Sequence, residues 1–183
     1  MTPLQLFLQQ LANGLTLGSI YALIALGYTM IYGVIQLINF AHGEVFMVGA
    51  YIALTLVLLS STLLLAGAPW WVILLLCAIG AMAACGILGA AIEYLAYRPI
   101  RQAPRLNALI TAIGMSFFLQ NAIMLLYGAT DRPFPNPVPL IRWEPGGVTV
   151  TLMQVVIWMG SGLLMVGLQG LVMSTKLGMA MRA

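Results

Sequence analysis

Residues 11–35 contain no charged side chain, and they are the first of five long apolar stretches. A helix that crosses the hydrocarbon core of a bilayer needs about 20 mostly apolar residues, so this run is long enough to span. Further runs cover residues 45–66, 70–96, 106–127 and 148–173. Of the whole chain, 62% is hydrophobic and only 6% is charged, against roughly 25% charged in soluble domains. So little charge cannot clothe a water-facing surface. The expected fold is all-α: a polytopic transmembrane helical bundle of five spans, one domain over residues 1–183, with the lipid bilayer as its surroundings.

The formal net charge is +3. No stretch builds a dense basic face, so nucleic acid is not an expected partner. The charge speaks to orientation instead. Arg98, Arg101 and Arg105 lie between spans three and four, and Lys176 and Arg182 follow span five. Two crossings separate these segments, so they share a side, which the positive-inside rule makes cytoplasmic. Residues 128–147 then face outside, as does the N-terminus, provided that no segment near residue 40 re-enters the membrane. The N-terminus shows neither a basic n-region nor a small-residue cleavage site. The first run is therefore expected to stay as structure, with Gln5, Gln9 and Gln10 either at the interface or on an extension of the first helix.

Several features read as packing. Cys77 and Cys85 stand about 12 Å of helical rise apart, too far for a disulfide. Gly14 with Gly18, Gly49 with Ala53 and Gly86 with Ala90 are small-xxx-small pairs that let helices approach closely in lipid. In the outer loop, Pro133, Pro135, Pro137 and Pro139 alternate and favour an extended, polyproline-like segment. Pro145-Gly146-Gly147 marks a turn. Such a loop serves as a docking surface or as a plain connector.

The most informative stretch is residues 36–44, where Gln36, Asn39, His42 and Glu44 interrupt two apolar runs. Polar groups at a membrane boundary are costly and usually face a cavity or the bundle interior. Two readings stand side by side. In one, a cytoplasmic turn places Asn39 or His42 near a helix start, with Glu44 favoured by the N-terminal dipole. In the other, a broken helix lines a translocation path, and Asn39, His42 and Glu44 are its polar lining. Acid–base or metal chemistry fits poorly: there is one histidine, no second acid nearby and no HExxH spacing. No cofactor or metal is expected. Within the other spans, Asn13, Asn107, Thr111, Gln120, Asn121 and Gln154 are uncharged polar groups for interhelical bonds or a pore stripe. Asn107 and Thr111 share a helix face, while Ser116 falls off it. Glu93 is expected to snorkel or pair at the interface.

The stretch Asn39-Phe40-Ala41-His42-Gly43-Glu44-Val45-Phe46-Met47-Val48-Gly49-Ala50-Tyr51 resembles the signature of LivH-type permeases of branched-chain amino acid ABC transporters. Asn13-Gly14-Leu15-Thr16-Leu17-Gly18-Ser19-Ile20-Tyr21-Ala22-Leu23-Ile24-Ala25-Leu26-Gly27-Tyr28, Tyr97-Arg98-Pro99-Ile100-Arg101 and Ala112-Ile113-Gly114 fit the same pattern. The resemblance implies a multi-pass permease subunit of the bacterial inner membrane that is not itself an enzyme. It would pair with a homologous second permease subunit. Cytoplasmic ABC ATPase subunits would drive it, and a periplasmic substrate-binding protein would feed it the amino-acid substrate. The absence of a GxxxxGK[ST] phosphate loop agrees. The family's permeases are longer, so the chain resembles their N-terminal part. Residues 174–183 resemble the start of the cytoplasmic coupling loop, which makes Lys176, Gly178 and Arg182 ATPase-coupling candidates or plain positive-inside anchors. Gln36, Asn39, His42, Glu44, Asn107 and Thr111 are the translocation-path candidates, since a zwitterion with an apolar side chain needs hydrogen bonds set among apolar walls.

Sister permeases for urea and short amides share much of the motif and remain an alternative. A secondary transporter or channel would need a membrane-embedded acid for ion coupling, for which Glu44 is the sole candidate. A membrane enzyme using His42 and a purely structural subunit are the remaining classes.

Overall fold

Hydrocarbon offers a backbone no hydrogen-bond partners, so each apolar run must close its own bonds, and a helix does so within one segment. The computed structural model, which describes residues 2–35, 39–60, 68–175 and 178, has five long helices. They are α1 (Pro3–Ile35), α2 (Ala41–Leu59), α3 (Trp70–Ile92), α4 (Arg105–Tyr127) and α5 (Leu152–Ser174). All five are long and apolar enough to cross a membrane, as the runs predict. Their ends differ from the runs in informative ways. α1 takes in Gln5, Gln9 and Gln10, so those residues extend the helix. α2 begins at Ala41, four residues ahead of the apolar run, and so includes His42 and Glu44. α3 runs on through a widened π turn (Glu93–Tyr97) and a 3-10 turn (Arg98–Ile100). Ahead of α5, two strands, β1 (Arg142–Trp143) and β2 (Val150–Thr151), pair antiparallel. Strands of two residues leave no periodicity for a sequence to reveal.

The chain divides into two compact units, Met1–Gln36 with Val138–Ala183 and Leu37–Pro137. In the first, α1 and α5 run parallel, as the three intervening spans require and as their bonds in ascending order show. α1 has 33 residues, about 50 Å of rise, well beyond a hydrocarbon core of about 30 Å. Its first turns stand beside the hairpin instead. Gln5 Nε2 donates to the Gly146 carbonyl at 3.0 Å. Gln9 clasps the Thr149 backbone twice, donating to its carbonyl at 3.0 Å and accepting from its N–H at 2.8 Å. Asn13 accepts from Gln154 at 3.2 Å, and Thr16 accepts from the Trp158 indole at 3.0 Å. Gln5, Gln9, Asn13 and Thr16 lie three and four apart and so share one face of α1. Thr151 and Gln154 close a reciprocal capping box at the start of α5. The turn between the strands falls on Gly146 and Gly147, with φ of 66° and 83°, a region open to glycine at no steric cost. The residues 131–137 ahead of the hairpin lie outside helix and strand.

In the second unit α2 packs against both α3 and α4. Small residues set the α2–α3 distance. A Cβ on Gly49 would stand 2.8 Å from Cys85 Sγ, and one on Gly80 would stand 2.7 Å from Leu56 Cδ1. Gly49 therefore acts as the small-residue pattern predicts. Gly14, Gly18 and Gly86 face open space within 4 Å, so their pairs make no such approach among the described residues. Cys77 is buried, both cysteines are free thiols, and Cys85 donates weakly to the Val45 carbonyl at 3.6 Å. α4 buries Ala112, Leu119 and Ile123, which with Ser116 and Tyr127 form its inner stripe. Tyr127 meets the hydroxyl of Thr55 at 2.6 Å and stacks obliquely on Tyr51, with ring centroids 4.6 Å apart.

Two outcomes are expected. Gly49→Ala forces Cys85 to give way and lowers stability by about 1–3 kcal/mol, whereas Gly86→Ala leaves it unchanged. Thermal melting of the detergent-solubilised protein checks both. Gln9→Ala removes both clasps on Thr149, at about 1–3 kcal/mol, and hydrogen exchange at the Thr149 amide accelerates while that of α4 does not.

Candidate functional site

The polar residues at the start of α2 are held by two neighbouring helices. Asn39 Oδ1 accepts the N–H of Ala41, the first residue of α2, at 3.0 Å, and the Tyr97 hydroxyl at 2.8 Å. The Asn39 carbonyl accepts the His42 N–H at 3.1 Å. Tyr97 is the last residue of the π turn, a widening often found at functional sites. Glu44 stands in the first turn of α2, where the helix dipole favours a carboxylate. Its Oε1 accepts the Ser116 hydroxyl at 3.2 Å. His42 and Glu44 are half-buried, and Ala41 between the helices is fully buried.

These contacts fix a depth. Ser116 is at the midpoint of α4, about 16 Å of rise beyond Arg105. On the other side, Val45 meets Cys85, and α3 continues from there to Arg98 over about 18 Å. Arginines mark the polar ends of spans. Measured along either helix, Glu44 thus lies level with the middle of a neighbouring apolar span. Asn39, bonded to Tyr97 beside Arg98, lies nearer the arginine end, and Glu44, five residues on, lies about 7 Å further in.

Asn107 and Thr111 are not brought to this cluster. Asn107 is about 180° round α4 from Ser116 and is exposed, and the Thr111 hydroxyl bonds back to the Asn107 carbonyl at 2.8 Å. Gln36, Lys176 and Arg182 lie outside the described residues. Gly178 is described, and its N–H donates to Thr175 Oγ1 at 3.3 Å. Glu93 pairs with Arg101 at 2.7 Å, both side chains being largely exposed, an arrangement worth little. Arg98 lies over the Tyr94 ring instead, 5.1 Å from its centroid.

Two contributors escaped the sequence reading, Tyr97 and Ser116. Tyr97 stood in a quoted motif with no role. Ser116 was noted only as off the Asn107 stripe, and that offset was the signal: a residue opposite the outer stripe faces the neighbouring helix. An apolar cleft of about 350 Å³ between α1 and α5, lined by Leu26, Thr29, Met30, Leu168, Gln169 and Met173, was also unforeseen. It holds no charged group. The cluster on α2 brings together acceptor oxygens from Asn39 and Glu44 and hydroxyls from Tyr97 and Ser116.

Known proteins supply the remaining context. The family model described as branched-chain amino acid transport system / permease component matches residues 10–183. The chain is 45% identical over 182 residues to the high-affinity branched-chain amino acid transport system permease protein BraD of Pseudomonas aeruginosa. It is 42% identical to LivH of Escherichia coli K12 and 43% to LivH of Salmonella typhimurium, proteins named in the same terms. Each similarity covers 97% of this chain and 58% of the relative, so the chain spans less than two thirds of their length. No solved structure matches it. With matched sequence over nearly its whole length and five helices fit to span a bilayer, the chain belongs to the permease component family of branched-chain amino acid transport systems.

Proposed function

We propose that the chain forms part of the membrane-spanning permease subunit of an ABC importer that carries branched-chain amino acids across the bacterial inner membrane. The observation that carries this reading is the 42–45% identity to BraD and LivH over 97% of the chain. Separate cytoplasmic ATPase subunits power the transport, a homologous permease subunit completes the bundle, and a periplasmic binding protein delivers substrate. Arg98, Arg101 and Arg105 face the cytoplasm, and the hairpin of β1 and β2 faces the periplasm. Lys176, Gly178 and Arg182 belong to the edge of the ATPase contact.

Asn39, His42 and Glu44 line the translocation path. Their support is the half-depth position of Glu44 and the bonds that hold Asn39 to Tyr97. Asn107 and Thr111, on the opposite face of α4, belong to a separate stretch of polar wall. Gln36, three residues before Asn39 in the sequence, is a further path candidate.

The test is uptake by the full-length permease, reconstituted in proteoliposomes with its partner permease, ATPases and binding protein. Labelled leucine is expected to accumulate only with ATP and the binding protein. Urea uptake instead would keep the family and change the substrate, and accumulation without ATP would sink the importer reading.

Tyr97→Phe, which removes one bond to Asn39, is expected to slow leucine uptake by a factor of about 3–10, the equivalent of one hydrogen bond. Asn39→Ala costs more, because the Ala41 N–H loses its partner too. Asn39→Ala and Asn107→Ala touch no common neighbour, so their effects on the logarithm of the uptake rate are expected to add.

A further inference from the structure

Of the four acidic residues, Asp131 and Glu144 lie in the loop between α4 and α5, and Glu93 is paired with Arg101 near the basic end of α3. Glu44 alone lies at half-depth. A carboxylate there is expensive unless a cation or a water-filled cavity compensates it. Among the described residues no basic side chain pairs with it. Arg98 and Arg105 are about 16–18 Å away along their helices. Ser116 supplies one hydrogen bond, while a carboxylate has about four acceptor sites. Among the described residues no second side-chain donor is bonded to it.

The chemistry of that donor can be narrowed. Calcium asks for six to eight oxygen ligands and magnesium for near-octahedral ones. Among the described residues no three of His, Cys, Asp and Glu gather to hold a metal ion. A primary ammonium asks less, because it carries three donors and one charge and is matched by a single carboxylate.

We propose that Glu44, held by Ser116 half-way through the bundle, receives the ammonium group of the amino-acid substrate during its passage. This rests on the importer reading and adds to it a binding residue, its positioning partner and the substrate group that they recognise. It also separates the substrate's two ends: the ammonium meets Glu44, and the carboxylate must find its donors elsewhere.

The experiment measures binding of labelled leucine to the full-length transporter in nanodiscs, with two competitors. 3-Methylbutylamine keeps the ammonium and the branched chain, while 4-methylpentanoate keeps the carboxylate and the chain. In the wild type the amine is expected to compete at least about tenfold better than the acid, as a charge-assisted bond to Glu44 requires. Glu44→Gln retains a carbonyl for Ser116 but loses the charge. Leucine binding is then expected to weaken about tenfold or more and the amine's advantage to vanish, with the melting temperature of the complex unchanged. Glu44→Asp recovers part of the binding. Leucine binding by Glu44→Gln within about twofold of wild type, or better competition by the acid in the wild type, would overturn the assignment while leaving ATP-driven leucine uptake intact. A fall in melting temperature that Glu44→Asp does not reverse would overturn it in favour of a structural role. A wild-type complex that takes up no leucine would remove the importer reading and this proposal together.

Discussion

Hydrocarbon neither donates nor accepts hydrogen bonds, so a polar side chain on a membrane-spanning helix must find its partner on the helix beside it. Apolar contacts between such helices slide at little cost, because lipid tails are as apolar as leucine. Register is therefore set by the few polar pairs. In one unit Gln9 with Thr149, Asn13 with Gln154 and Thr16 with Trp158 lock α1 alongside α5. In the other, Glu44 with Ser116 and Thr55 with Tyr127 lock α2 alongside α4 at two levels. A shift of either pair of helices by one turn, about 5.4 Å, would break every bond in its set.

The register in turn decides depth. Because the first turn of α2 stands opposite the middle of α4, it brings Glu44 level with Ser116, while Asn39, just ahead of the helix, stays bonded to Tyr97 beside Arg98. The arginine-bearing ends of α3 and α4 continue past Glu44. The close approach at Gly49 and Cys85 sustains this from the α3 side. Bonds of this kind in membranes average about 0.6 kcal/mol and reach about 1.7. They are weak one by one and select one register as a set.

Some of this was plain in the residues. Five long apolar runs dictated five helices, since a helix satisfies its own backbone in lipid. The turn at Gly146 and Gly147 followed from a dipeptide that tolerates positive φ. The polar interruption at residues 36–44 stood out because ionisable groups between apolar runs are rare. Other features were illegible for physical reasons. Gln5 and Gln9 could sit at an interface or on a helix with equal propriety until the hairpin backbone was seen to receive them. Strands β1 and β2 are too short to show alternation. The open faces of Gly14, Gly18 and Gly86 look no different in sequence from the crowded one of Gly49.

The sequence by itself determined the solvent of this protein, the number of its long helices and the place where polarity breaks into them, because each follows from composition along one dimension. Only the tertiary structure decided how deep that polarity lies and what holds it. Depth is a relation between helices: it depends on Ser116 standing opposite Glu44 and Tyr97 reaching Asn39, pairings between residues tens of positions apart that no local pattern encodes.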